Sequence, residues 1–213
     1  MRNDPDRQDN QRATMVRLDT SSSLIYIVIV TVSYWCWIAF EIWLVAREHG
    51  TAEDDSQDQG SRKTIIFWWT VGIVLGIFTV PNLLPQFAIR GNVVILFIVG
   101  VTLIWAGILF RFWSVQKLGR FFRSKVVIQQ EHELIKTGPY KYIRNPSYTG
   151  TMVTLLGFGI GVGNWLSIIV LLATGFISFV RRIAIEDCAL TERFGKDYKE
   201  YRKSTWALVP FIW

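Results

Sequence analysis

The sequence predicts an all-α integral membrane protein with about five transmembrane helices, the last two forming a short hairpin, and a cytosolic C-terminal helix. Three observations predict it. Long stretches carry almost no charge: residues 24–45 hold only Glu41, residues 65–89 and 92–110 hold none, and 148–180 run 33 residues without one. The hydrocarbon core of a bilayer takes roughly 20 apolar residues of helix, so the first three stretches each fit one span. The fourth is too long: as one helix it would extend about 50 Å. Gly161, Val162, Gly163 and Asn164 near its middle signal a turn, which gives two short helices, 148–162 and 165–180.

Charge sets the expected orientation. Segments 46–64, 111–147 and 181–213 carry 3, 8 and 7 Lys or Arg, so one side holds 18 of the 23. The positive side is expected in the cytosol, with the N-terminus outside and the C-terminus inside. The formal charge of +6 is mostly this asymmetry. The basic residues flank apolar spans and form no separate basic domain, which argues against a nucleic-acid partner. Two cysteines, Cys36 and Cys188, make no disulfide framework, and two histidines, His49 and His132, make no typical zinc site.

Taken in order, residues 1–23 are polar without periodicity and read as a flexible arm. Residues 24–112 read as a three-helix anchor. Its first apolar run of 22 residues lacks a small-residue cleavage site and reads as an uncleaved span. Glu41 within it is an intramembrane acid; one turn from the span's end, it is expected to reach the headgroups. Residues 46–64 form an acidic loop. Pro81 and Pro85 break or kink the second span, with Asn82 and Gln86 able to bond freed carbonyls. The short turn at Ile89, Arg90, Gly91 and Asn92 predicts an antiparallel pair of spans two and three. Residues 113–122 mix basic and aromatic side chains, as an interfacial segment does. Residues 126–128 with Leu134 and Ile135 could form a small hairpin.

The stretch 138–148, GPYKYIRNPSY, divides the two apolar regions. Asn145 is a favoured N-cap and Pro146 a favoured first helical residue, so a membrane helix starts here. Its unpaired N–H groups, with Lys141 and Arg144 beside them, would make an anion site at the membrane surface. The tail 181–203 places Arg182 and Glu186 on one helix face, and Ile183, Leu190, Phe194, Tyr198 and Tyr201 on an apolar and aromatic stripe. Gly195 breaks that helix in two. Phe211 and Trp213 anchor the end at the interface.

GPYKYIRNPSYTG, followed after a hairpin by RRIAIEDCALTERFGKDYKEYR, resembles the isoprenylcysteine carboxyl methyltransferase family, as do LGRFF at 118–122 and the LIKTGPY approach. The resemblance covers about residues 105–210. Two positions depart from it: Asn145 stands where members often have His, and Asp187 where a second Glu is frequent. The resemblance implies a catalytic region over 113–213, containing the hairpin 148–180, with S-adenosylmethionine (SAM) bound at the cytosolic face in a non-Rossmann site. No G-x-G-x-x-G fingerprint follows a strand. It implies Gly138, Tyr140, Arg144, Asn145, Tyr148, Arg182 and Glu186 around the cofactor, Arg144 and Arg182 as catalytic residues, and Arg202 and Tyr198 toward the acceptor. The acceptor would be a prenylated or other lipophilic carboxylate reaching the site from the bilayer. Phospholipid or thiol methylation is the alternative activity. A membrane reductase fits less well, because Ser147, Tyr148, Thr149 and Gly150 stand where reductases have Asn-Tyr then Gly-Glu. A transporter, with Pro81 and Pro85 at a broken helix, leaves the paired polar motifs unexplained.

Overall fold

The computed structural model describes residues 20–46, 60–119 and 134–210. The His132 turn, most of the acidic loop, most of the N-terminal arm, residues 120–122 and 126–128, Phe211 and Trp213 lie outside the described residues. Among the described residues, seven α-helices follow in order: α1 (Thr20–Ala46), α2 (Ser61–Ile73), α3 (Val80–Leu83), α4 (Val93–Leu118), α5 (Pro146–Val162), α6 (Trp165–Phe194) and α7 (Lys196–Lys203). No strand runs through the described residues, and isolated bridges join only Ala88 with Asn164 and Ile143 with Trp206.

Among the described residues, four stretches are long and apolar enough to cross a membrane: Leu24–Leu44, Lys63–Leu83, Val93–Leu118 and Trp165–Phe194. Large apolar side chains such as Ile27, Phe67, Leu109 and Ile169 stand exposed along them. In water such faces would aggregate; against lipid tails they are at home. The protein is an integral membrane protein.

Proline shapes the second span as expected. A π-helical segment, Val74–Thr79, precedes α3, and Pro81 is the residue whose ring disrupts the α ladder there. Asn82 Nδ2 donates to the Phe78 carbonyl at 2.6 Å. Asn92 caps α4, its Oδ1 accepting from the Val94 and Ile95 N–H groups. Asn164 caps α6 in the same way.

The hairpin turn falls at Gly163 and Asn164, as its glycines predict. α5 has only 17 residues. Its turn still meets the loop between α3 and α4: Asn164 Nδ2 donates to the Leu84 carbonyl at 3.1 Å, and Ile89 N–H to the Gly163 carbonyl at 2.7 Å. Both turns therefore lie at one end of the bundle, opposite the 138–148 stretch.

Two expectations are corrected. The short turn does not make spans two and three packing partners: α2 lies against α6, and α4 against α5. Glycine decides this pairing. A Cβ on Gly100 would sit 2.8 Å from the Gly161 backbone, and one on Gly157 2.6 Å from Ile104 N. Gly107 and Gly150 repeat the close approach one heptad along. With no hydrophobic drive between helices in lipid, small residues that let backbones touch set the partner. The second correction concerns α6, which does not end at Val180. It runs 30 residues to Phe194 because nothing from Arg181 to Phe194 breaks a helix, and it turns only at Gly195, whose φ is +54°.

The core has two parts. Trp37, Ile104, Ile108, Leu155, Phe158 and Leu171 fill the bundle's centre. Phe179, Ile183 and Leu208 form a second cluster under the polar end.

Candidate active site

Three sequence-expected residues meet at one point. Glu186 Oε1 accepts from the Tyr148 hydroxyl at 2.6 Å and from Arg182 Nε at 2.7 Å. Arg182 Nε also lies 3.2 Å from the Tyr148 oxygen. The i,i+4 spacing on α6 brings Arg182 to Glu186, and the first turn of α5 delivers Tyr148. Tyr148 stacks on Phe179, with ring centroids 4.6 Å apart. Arg182 is 1% exposed and the Glu186 side chain 22%. A guanidinium so deeply buried needs a carboxylate partner, and the more exposed carboxylate keeps an edge open to a ligand.

Asp187, one residue on, faces elsewhere. It accepts from the Tyr198 hydroxyl and lies 3.4 Å from Arg202 Nε and 3.8 Å from Arg144 Nε. Tyr198 and Arg202 thus gather on Asp187, away from Glu186. Burial, then the Asp187 hydrogen bond, pushes the Tyr198 phenol far above its ordinary 10; burial does the same for Tyr201.

Arg144 is not presented to a ligand as an anion clamp. Its Nη1 donates to the carbonyls of Thr205 at 2.6 Å and Arg202 at 3.1 Å. Asn145 does not cap α5 through its side chain, which instead donates to the Ala207 carbonyl at 2.9 Å. The reason is a C-terminal strap. Residues 204–208 run parallel to 142–145, with Arg144 N–H on the Trp206 carbonyl and Trp206 N–H on the Tyr142 carbonyl. Thr149 Oγ1 adds a bond to the Leu208 carbonyl at 2.6 Å. Lys141 lies over the Tyr142 ring, 5.5 Å from its centroid. The expected anion site is not assembled, because the polar groups meant for it hold the strap.

Gly138 and Tyr140 lie in the short 3-10 turn that leads into α5. Gly138 takes φ +62° beside the Lys117 stem. Tyr140 is buried, its hydroxyl 3.4 Å from the Ser114 carbonyl and its own carbonyl accepting from Tyr201 at 2.6 Å. Burial first, then neighbouring Tyr148 and Glu186, holds the Tyr140 phenol well above 10. All of these phenols are donors near neutral pH. Among the described residues, no cluster of His, Cys, Asp or Glu could hold a metal.

A family model described as phospholipid methyltransferase matches residues 95–197. An Arabidopsis thaliana protein-S-isoprenylcysteine O-methyltransferase B is 31% identical over 115 residues, 53% of this chain and 58% of the relative. The Dictyostelium discoideum protein-S-isoprenylcysteine O-methyltransferase is 37% identical over 84 residues, 39% of this chain and 35% of the relative. A solved eukaryotic intramembrane Ras methyltransferase, isoprenylcysteine carboxyl methyltransferase, matches the fold with a TM-score of 0.55 over 88% of this chain and 65% of that one, at 21% identity. The chain is similar in sequence to isoprenylcysteine O-methyltransferases and shares the fold of a solved one. It spans about half the length of the first curated relatives it matches. The residues matched by the family model contain Tyr148, Arg182 and Glu186, which converge.

Sequence reading missed Arg111 as the partner of both Glu41 and Ser147, and the strap at 204–208. Arg111 had one signal: it is the first charge after a long apolar run, so its side chain could turn back into the bundle. The strap had none, since backbone carbonyls leave no trace in residue identity.

Proposed function

We propose that this chain is an integral membrane, SAM-dependent carboxyl O-methyltransferase that esterifies a lipid-linked, isoprenylcysteine-like carboxylate at the cytosolic face. The observation that carries the proposal is Glu186, held by Tyr148 and Arg182 at the polar end of a membrane bundle.

The residues fit the cofactor's chemistry in part. Glu186, partly exposed and pinned through one oxygen, suits an ammonium or ribose hydroxyl. Arg182 acts through Glu186 and is a positioning residue. Arg144 and Asn145 hold the strap that walls the approach, with Gly138 and Tyr140 beneath it. Arg202, 56% exposed, is a guanidinium with room for an acceptor carboxylate, and Tyr198 orders the Asp187 carboxylate beside it. SAM, when bound, supplies an electrophilic methyl group on a sulfonium. A carboxylate nucleophile is already ionised near pH 7, so the chain needs no general base; its task is orientation and shelter from water. The exposed apolar flanks of the helices would let a lipid-tailed acceptor approach from the side.

The test uses Glu186→Gln. It keeps the shape and an acceptor oxygen for Tyr148 but removes the charge. Calorimetry is expected to show SAM affinity lost while helicity and the thermal midpoint persist; unchanged affinity would refute the assignment. Methyl-labelled SAM with a panel of acceptors then reads the product. Label released by mild base is an ester. Base-stable label would favour phospholipid N-methylation, the reading that the matching family model's description suggests.

A further inference from the structure

On the α4 side of the α5 start, a second buried polar chain crosses three helices. Arg111 Nη2 of α4 donates to Glu41 Oε2 of α1 at 2.8 Å. Arg111 Nη1 donates to Ser147 Oγ at 2.7 Å and to the Ser147 carbonyl at 3.2 Å. The two charged side chains are 9% and 17% exposed. Glu41 therefore does not reach the headgroups as expected; it stays inside and pairs. Taking two charges out of water is costly, and Glu41 Oε1 and Arg111 Nε are buried with no hydrogen-bond partner among the described residues. Apolar residues of similar volume would hold α1 and α4 together at lower cost, so stability alone is a poor account of the pair.

Ser147 precedes Tyr148. Successive helical side chains point about 100° apart, so when Ser147 faces α4, Tyr148 faces α6. The strap ties this first turn of α5 at Asn145 and Thr149, and the Arg111 bonds are the side-chain hold at Ser147 between them. A phenol oxygen at the end of a long side chain leaves hydrogen-bond reach on a small roll of its helix. Holding both the Ser147 carbonyl and its hydroxyl sets that roll. We propose that Glu41 and Arg111 are positioning residues: through Ser147 they set the roll of α5 and so hold Tyr148 on Glu186. The consequence for cofactor binding rests on the methyltransferase reading; the geometric link does not.

The experiment uses the full chain in lipid nanodiscs with 3-fluorotyrosine at position 148. Ser147→Ala removes the hydroxyl without stranding a charge. Arg111→Lys keeps a cation opposite Glu41 but cannot span both Glu41 and Ser147. In both, the fluorine resonance is expected to shift or broaden and SAM affinity to weaken about fivefold, roughly the worth of one hydrogen bond. The thermal midpoint should stay within about 2 °C. Ser147→Thr, which keeps the hydroxyl, should restore both readouts. Wild-type resonance and affinity in folded Ser147→Ala and Arg111→Lys would overturn the proposal. Failure of the wild type itself to bind SAM would instead sink the methyltransferase reading, and the resonance would still decide whether Arg111 positions Tyr148. Should Arg111→Lys not fold, the alanine and threonine variants at 147 decide alone.

Discussion

Two adjacent carboxylates on α6 do different work because a helix turns about 100° per residue. Glu186 looks toward Tyr148 and Arg182, while Asp187 looks toward Tyr198, Arg144 and Arg202. The Tyr198 contact gives a pH prediction. The Tyr198 and Tyr201 phenols are raised above 10 in the folded protein, chiefly by burial. The neutral phenol is the folded form, so the stability it contributes is complete below pH about 10 and is lost as pH rises from there toward the folded values. Denaturant midpoints measured from pH 8 to 11 should fall more steeply in the wild type than in Tyr198→Phe. Equal slopes would mean that this phenol is not protected. Arg202 is 56% exposed, so its pairing with Asp187 should add well under about 1 kcal/mol.

Among the elements, α4 and α5 are matched by glycine. Gly107 has the Gly150 carbonyl 2.5 Å from where a Cβ would lie, and backbone cannot move aside as a side-chain tip can. Gly107→Val should therefore part the helices and destabilise the protein by about 1–3 kcal/mol or more. Thermal unfolding in detergent would show a midpoint several degrees lower, at roughly 2–4 °C per kcal/mol for a chain of this size. A midpoint at the wild-type value would mean that the seam is looser than drawn. The same variant should disturb Ser147 and with it the fluorine signal at 148, since α4 carries Arg111. The strap belongs to this scale as well. Its carbonyls occupy Arg144 and Asn145, which explains why Asn can stand at 145: the position uses an amide donor to hold Ala207, a task that needs no titrating group.

For the whole molecule, the asymmetry of Lys and Arg predicts which end lies in the cytosol. Cys188, exposed on α6 near the polar end, reports it. With Cys36 replaced by Ser, a membrane-impermeant maleimide should label inside-out vesicles and spare intact cells. Labelling of intact cells would reverse the orientation and put Glu186 on the wrong side for cytosolic SAM. Residue identities alone mark the membrane class, the helix starts at Pro146 and Trp165, the break at Gly195 and the Arg182–Glu186 pair. Each of these follows from runs of charge, from turn residues or from helical spacing, which are local properties of the chain. Tertiary structure alone decided that α4 pairs with α5, that Glu41 binds Arg111, and that Arg144 and Asn145 serve the strap. Those contacts join residues between 36 and 70 positions apart or use backbone carbonyls, and neither distance in space nor a carbonyl's direction is written in residue identity.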